Sequence, residues 1–216
     1  GLYDLKFLRT FLPFSKYGPG YYCNVTKKVS HDWLPKLKYL RTLSLFDYGN
    51  ITELPDSISN MVLLRYLDLS YTSIKRLPDA TFRLYNLQTL KLSNCRCLTQ
   101  LPEQIGNLVN LRHLDIRGTN LLEMPAQISK LQDLRVLTSF VVGREDGVNI
   151  RELRKFPYLQ GTLSILRLQN VVDPKEHIEE LELEWGSEPQ DSQIEKDVLQ
   201  NLQPSTNLKK LSIRYY

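Results

Sequence analysis

A leucine motif of the form LxxLxL recurs along this chain at an almost constant spacing. Its first leucines are Leu40, Leu64, Leu87, Leu111 and Leu134, so successive copies begin 24, 23, 24 and 23 residues apart. A second block follows each of the first four copies: LPDSI at 54–58, LPDAT at 77–81, LPEQI at 101–105 and MPAQI at 124–128. Self-similarity at a period of about 20–50 residues restricts a chain to architectures in which each unit packs mainly on its neighbours.

The period of two inside LxxLxL indicates a short strand whose last two leucines point into a core, while the residues beside them point outward. The Leu-Pro pair would turn the chain back along the opposite side, where proline suits an unpaired backbone N–H. One unit cannot bury its own leucines, so units must stack with parallel strands ~4.8 Å apart. The sequence therefore predicts a leucine-rich-repeat horseshoe, an α/β solenoid with a parallel concave β-sheet and short helical or irregular convex segments.

Three segments are expected along the chain. Residues 1–36 would hold a partial upstream repeat, with an earlier strand near Leu8 and Phe11, then a polar loop and a short helix. Residues 37–140 would form the regular repeats of 23–24 residues, and residues 141–216 would form irregular repeats truncated at the C-terminus.

The pattern loosens in the fifth unit. Ser139 stands where the last core leucine should be, which predicts a bulge or a shifted register. Residues 150–159 are then expected to form a short helix with three inward side chains, Ile150, Leu153 and Phe156.

Further strands are predicted at 162–166, 178–185 and 208–216, with a convex helix at 191–202 that has a capping-box start. Only 18 residues separate Leu163 from Leu181, fewer than the ~20–29 of such repeats. We therefore expect a distorted or incompletely closed turn there.

Composition excludes several classes of function. The 28 basic and 24 acidic residues give a net charge of +4 and are mostly intermixed, whereas nucleic-acid binders usually carry a basic cluster. No apolar run approaches the ~18 residues of a membrane span, and the start lacks the features of a signal peptide. Because the chain begins without Met, we expect it to be a segment of a longer protein.

Two cysteines, Cys95 and Cys97, resemble a metal or redox pair. However, Cys95 occupies the repeat position filled by Thr72 and Thr119 in other units, where a side chain bonds the backbone of adjoining loops. An odd total of three cysteines also gives no paired framework. We interpret the pair as part of the repeat and expect no metal site.

Function on such an architecture should lie on the outward residues of the strands. Asp68, Lys91 and Asp115 occupy one position of adjacent units and predict a row of alternating charge. That row is either a recognition feature or a solvated ladder, which would contribute about 0–1 kcal/mol per exposed pair. The candidate partner-binding residues are Tyr66, Asp68, Lys91, His113, Asp115, Arg117, Glu180, Glu182, Glu184 and Trp185.

The last four of these form an acidic strip that ends in a tryptophan. Such a strip suits a basic partner surface, since large aromatic residues are favoured contact anchors. A merely charged outer face explains it equally well. Catalysis is disfavoured, because His31, His113 and His177 lack ligand spacing and no nucleophile motif accompanies them.

Several blocks resemble one family of proteins. LPKLKYLRTLSLFDYGNITELPDSI, LPEQIGNLVNLRHLDI, LTSFVVG, GTLSILRLQNVVD and HIEELELEWG are similar to the repeat region of plant coiled-coil, nucleotide-binding, leucine-rich-repeat disease-resistance proteins. The chain departs from that pattern by lacking roughly a dozen residues between the LQNVVD and EELELEW blocks. It also carries no GxxxxGK[ST] phosphate-binding loop.

The resemblance implies a non-catalytic segment of a cytoplasmic immune receptor. Its repeats would perceive a pathogen effector or an altered host protein and restrain the receptor's own nucleotide-binding domain. No cofactor is implied for this segment, while ADP or ATP is implied for the absent domain. No nucleic-acid partner and no membrane span are expected.

Two other classes stay open. An intracellular signalling scaffold fits the regular units but not the irregular second half. An extracellular repeat receptor is favoured by the glycosylation sequons at Asn24 and Asn50, and disfavoured by LPxxI turns and the lack of paired capping cysteines.

Overall fold

A computed structural model describes residues 7–13, 36–144, 147–167, 170 and 208–214, the last range for its backbone. Six short parallel strands form one sheet in the order of the chain. They are β1 (Thr10–Phe11), β2 (Thr42–Ser44), β3 (Tyr66–Asp68), β4 (Thr89–Lys91), β5 (His113–Asp115) and β6 (Val136–Leu137). The predicted solenoid is confirmed, including the strand upstream of the first regular repeat.

The strands pair with the leucines of neighbouring units in register. Leu43 lies opposite Leu67, Leu67 opposite Leu90, and Leu90 opposite Leu114. The leucine side chains at these positions are fully buried. Full burial of one leucine contributes about 1.5–3 kcal/mol, so a column of them is the main stabilising feature of the stack.

The convex side consists of short 3₁₀ helices at Asp56–Asn60, Asp79–Arg83, Glu103–Asn107 and Ala126–Lys130. Each follows a proline in extended conformation, as Pro55 does before the first of them. In three of them a buried isoleucine, such as Ile58, packs the helix on the core, whereas Asp79–Arg83 buries Ala80, Thr81 and Phe82. These helices match the short convex segments that the LPxxI blocks predict.

The fifth unit breaks the sheet at Thr138. Strand β6 ends at Leu137, and β7 (Ser139–Val141) begins a second parallel sheet with β8 (Gly161–Leu166) and β9 (Leu208–Arg214). The predicted irregularity at Ser139 is therefore confirmed. Ser139 itself is buried and lies opposite Ser164.

The side chain of Thr138 completes the hydrogen bonding at this break. In earlier units, the N–H of the last leucine of the motif donates to a main-chain carbonyl of the next strand, as Leu45 N does to Asp68 O at 2.7 Å. At the break, the Thr138 carbonyl instead accepts from Ser164 N at 3.0 Å. The Thr138 hydroxyl takes over the missing role and accepts from Ile116 N at 3.0 Å.

The expected short helix is a 3₁₀ helix at Ile150–Lys155, which ends four residues before the predicted bound of 159. Its predicted inward side chains, Ile150, Leu153 and Phe156, are all buried. Asn149 caps it by accepting a bond from Arg151 N at 2.9 Å.

Strand β8 pairs directly with β9, and Leu163 lies opposite Leu211, 48 residues further along the chain. Stacking in simple serial order would have placed the predicted strand at 178–185 between them. That strand, the predicted helix at 191–202 and the polar loop before residue 36 lie outside the described residues.

Replacing Thr138 tests the role of its hydroxyl at the break. Thr138→Val keeps the shape but leaves the buried Ile116 N–H without an acceptor, so the free energy of unfolding should fall by about 1–3 kcal/mol. Thr138→Ser keeps the hydroxyl and should cost much less. Urea unfolding of both variants measures the difference, and equal losses would contradict this role.

Thr81 provides a second stability test. It occupies the buried position of Ile58, Ile105 and Ile128, and its hydroxyl has no hydrogen-bond partner among the described residues. Thr81→Val should therefore raise the free energy of unfolding by about 1 kcal/mol. The same change at Thr72, whose hydroxyl donates to Leu69 O at 2.7 Å, should lower it. Effects of the same sign in a thermal melt would refute this comparison.

Candidate functional site on the strand face

The structure brings six of the candidate residues together on the outward face of the first sheet. Tyr66 and Asp68 of β3 lie opposite Thr89 and Lys91 of β4. His113 and Asp115 of β5 continue the same two rows, and Arg117 follows β5. The other four candidates, Glu180, Glu182, Glu184 and Trp185, lie outside the described residues.

The two aspartates of the charged row are bonded to residues near them in their own repeats. Asp68 accepts from Ser70 N at 2.9 Å and from the Tyr66 hydroxyl at 3.2 Å. Asp115 accepts from Arg117 Nη2 at 2.8 Å and from Arg117 Nε at 3.1 Å. Only 7% and 8% of these two aspartates is exposed. The strand face therefore does not present a freely solvated ladder of charges.

Lys91 lies between the two aspartates in the register but turns toward an aromatic ring. Its Nζ is 5.8 Å from the centroid of the Tyr66 ring, within the range of a cation–π interaction. Among the described residues, it forms no ion pair with either carboxylate. Burial and the charge of Asp68 raise the pKa of Tyr66, which Lys91 partly offsets.

The Asp115–Arg117 pair is the strongest electrostatic contact on this face. Burial alone would raise the pKa of Asp115, but the hydrogen bonds and charge of Arg117 outweigh it and lower that pKa. Thr138 adds a bond of 3.0 Å from its hydroxyl to Asp115 Oδ1. The pKa of Arg117 is raised in turn by its bonds to Asp115. Asp115 thus links the face to the break in the sheet.

His113 lies in basic surroundings. Its Nδ1 is 3.4 Å from the Thr89 hydroxyl. Burial lowers the pKa of its imidazole, and the positive charges of Arg135, Arg112 and Lys91 lower it further. No group of three metal-binding side chains occurs in the described part of the chain.

An aromatic pair beside the row was not among the sequence candidates. The Phe46 and Tyr71 rings meet edge to face, with centroids 5.3 Å apart. Tyr71 has a positive φ of 61° at the turn that ends its strand, the position of Asp47, Asn94 and Gly118 in other units. The repeat alignment could have shown this turn, since Asn, Asp and Gly tolerate that conformation.

Cys95 has the structural role that its repeat position predicts. It is fully buried, and its Sγ donates to Leu69 O of the preceding unit at 3.0 Å. Burial raises the pKa of this thiol. Cys97 is exposed, and neither cysteine is in a disulfide.

The stability of the chain in acid tests the Asp115–Arg117 contact. A lowered folded pKa means that ionised Asp115 stabilises the fold above its unfolded value of about 3.9, and that this is lost as pH falls through the folded pKa. Asp115→Asn removes this contribution, so its urea midpoint should fall less than wild type on acidification. Arg117→Gln should also make the urea midpoint less sensitive to acid. Parallel curves of urea midpoint against pH for wild type and Asp115→Asn would contradict a stabilising role of this contact.

Comparisons with known proteins agree with this fold. A family model described as a leucine-rich repeat region matches residues 82–216. The leucine-rich repeat protein of Leptospira interrogans superposes with a TM-score of 0.54 at 21% identity, covering 84% of this chain and 45% of that one. The repeat domain of the type III effector XopL gives 0.53 at 27% identity, covering 62% and 47%.

Two relatives from Arabidopsis thaliana match nearly the whole chain. Disease resistance RPP13-like protein 1 is 46% identical over 234 residues, covering 100% of this chain and 22% of that protein. A second disease resistance protein is 46% identical over 230 residues, covering 98% of this chain and 16% of its own length. The chain thus spans about a fifth of these relatives or less. It belongs to the leucine-rich repeat region family and is similar, from end to end, to plant disease resistance proteins.

Proposed function

We propose that this chain is the recognition and regulatory segment of an intracellular plant immune receptor. Its strand face perceives a pathogen effector or a host protein altered by one. The same segment restrains a nucleotide-binding domain of the receptor, which supplies the ADP and ATP chemistry. Similarity to disease resistance proteins over the whole chain supports this assignment.

The observation that carries the proposal is the character of the strand face. Side chains of β2 to β5 stand in rows on a backbone that is fixed by continuous parallel pairing. Aromatic residues on or beside this face, such as Tyr66 and Tyr71, accompany charged groups that are already held by hydrogen bonds or ring contacts. A preordered surface loses little conformational entropy when it binds a partner. Such a surface suits recognition of a protein.

The site offers no arrangement for catalysis in the part of the chain described. His113 bonds a threonine, and the carboxylates of Asp68 and Asp115 are engaged in their own strands. No helix among the described residues has the length and apolar character needed to cross a bilayer. Similarity to disease resistance proteins is the basis on which we assign the segment a binding role in a cytoplasmic receptor.

Expression of the complete receptor in leaf tissue tests the proposal. Replacing Phe46 and Tyr71 by alanine should alter receptor output, seen either as cell death without an effector or as lost response to one. Leu122→Ala is the matched control, because Leu122 is 49% exposed, close to the 50% of Tyr71, and lies between β5 and the convex helix Ala126–Lys130. Receptor levels on immunoblots show whether each variant accumulates.

Two results would contradict the proposal. The first is wild-type output from the Phe46 and Tyr71 variant at equal protein level. The second is a receptor gene with no nucleotide-binding module upstream of this segment, which would remove the regulatory role.

A further inference from the structure

A row of arginines runs along the edge where the chain enters the strands. They occupy the second position of the LxxLxL motif, and all are exposed: Arg9, Arg41, Arg65, Arg112 and Arg135. The backbone stacks them directly, since Arg41 N donates to Arg9 O and Arg65 N donates to Arg41 O, both at 2.8 Å. We call these five residues the arginine row. Gln88 fills the same position in the third unit and interrupts it.

The arginine row is not neutralised by ion pairs among the described residues. None of its five members forms an ion pair there. Two nearby acids are already engaged, because Asp115 is held by Arg117 and Asp68 bonds Ser70 and Tyr66. The exposed Asp133, two residues before Arg135, offsets one of the five positive charges. Like charges on neighbouring strands repel one another, so the row lowers stability instead of raising it. The depressed pKa of His113, caused by burial and then by Arg135 and Arg112, reflects this positive field.

An exposed apolar row borders the arginines on the side of the preceding turn. It lies one or two residues before the first leucine of the upstream unit and of units one to four, and consists of Phe7, Tyr39, Val62, Leu63, Tyr85 and Val109. The fifth unit has the polar residues Gln132 and Asp133 there. Their exposed fractions run from 37% for Leu63 to 63% for Phe7. The Phe7 and Tyr39 rings stack with centroids 6.0 Å apart, so the row continues between units. We call the two rows together the rim.

We infer that the rim binds a protein surface that presents carboxylates beside apolar side chains. This deepens the proposed function and rests on it, since it names the chemistry of a partner for the recognition segment. The planar guanidinium group of an arginine can donate two parallel hydrogen bonds to one carboxylate. Arginine and tyrosine are also enriched at the energetic centres of protein interfaces. The exposed Tyr39, Tyr85 and Val109 would supply the desolvated contacts around such ion pairs.

A protein fits the rim better than a nucleic acid. Nucleic-acid surfaces combine cations with aromatic rings on which bases stack. Here aliphatic side chains, Val62, Leu63 and Val109, occupy half of the apolar row and offer no stacking plane. Apolar side chains of a protein partner would pack on them directly.

Binding of synthetic peptides to the 216-residue chain tests the inference by fluorescence anisotropy at low and moderate salt. The probe is a peptide of glutamate and aspartate interspersed with leucine and tryptophan. It should bind, weaken as salt rises, and bind more tightly than polyglutamate. Binding should also raise the pKa of His113, followed by NMR, because carboxylates would then lie close to the imidazole.

The variants isolate the arginine row. Arg65→Gln with Arg112→Gln should weaken peptide binding about tenfold, which is the loss of roughly one strong contact. Glutamine is tolerated at this position, since Gln88 already occupies it. The matched control is Arg76→Gln with Arg83→Gln, which removes the same charge from exposed convex residues. Gln88→Arg fills the gap in the row and should strengthen binding.

Several outcomes would overturn the inference. They are no binding of the mixed peptide, equal weakening by the convex control, and equal binding of polyglutamate. Tighter, arginine-dependent binding of single-stranded DNA or of phosphatidylserine vesicles would assign the rim to another class of partner. Because the leaf assay reads the Phe46 and Tyr71 face and the peptide assay reads the rim, failure of one is distinguishable from failure of the other.

Discussion

The register of the buried leucines is the constraint on which the rest of this structure depends. Leu67, Leu90 and Leu114 lie directly opposite one another, so each repeat covers the leucines of the next. A shift by one residue would turn these side chains to solvent, at about 1.5–3 kcal/mol for each leucine. Because the register cannot slip, every outward position is also fixed relative to its neighbours. The strand face and the rim are thus consequences of core packing.

Where the leucine pattern fails, polar side chains maintain the continuity of the stack. At the fifth unit, the Thr138 hydroxyl replaces a main-chain acceptor for Ile116 N and donates to Asp115. Asp115 in turn holds Arg117 on the face. A buried N–H without a partner costs about 1–3 kcal/mol, so this connection is needed as much as the leucines are. The two hydrogen bonds of Thr138 also connect the stability of the chain at the break with the Asp115–Arg117 ion pair on the strand face.

Much of the fold could be predicted from the sequence because the leucine period specifies strand, turn and register together. The 3₁₀ helices, the irregular fifth unit and the loop role of Cys95 all follow from that period. The hydrogen-bond partners on the strand face could not be predicted in this way. The period fixes where Asp68, Lys91 and Asp115 lie but not which way their side chains turn. The direct pairing of β8 with β9 was likewise not predictable, because it depends on how far the intervening chain travels and not on the motif itself.

The arginine row shows why a repeat should be compared at its variable positions as well as its leucines. The net charge of the chain does not reveal this row, because acidic residues elsewhere nearly balance the basic ones and the net charge is only +4. In register, the arginines on adjacent strands, such as Arg41 and Arg65, are stacked ~4.8 Å apart, well inside a Debye length of about 8 Å, and Gln88 separates Arg65 from Arg112. Asp68 and Asp115, the acids of the neighbouring strand face, are instead held by other residues, as Asp115 is by Arg117. The sign of a surface is therefore set by which charges the fold has already paired, and here the five unpaired arginines outweigh the exposed Asp133 beside them.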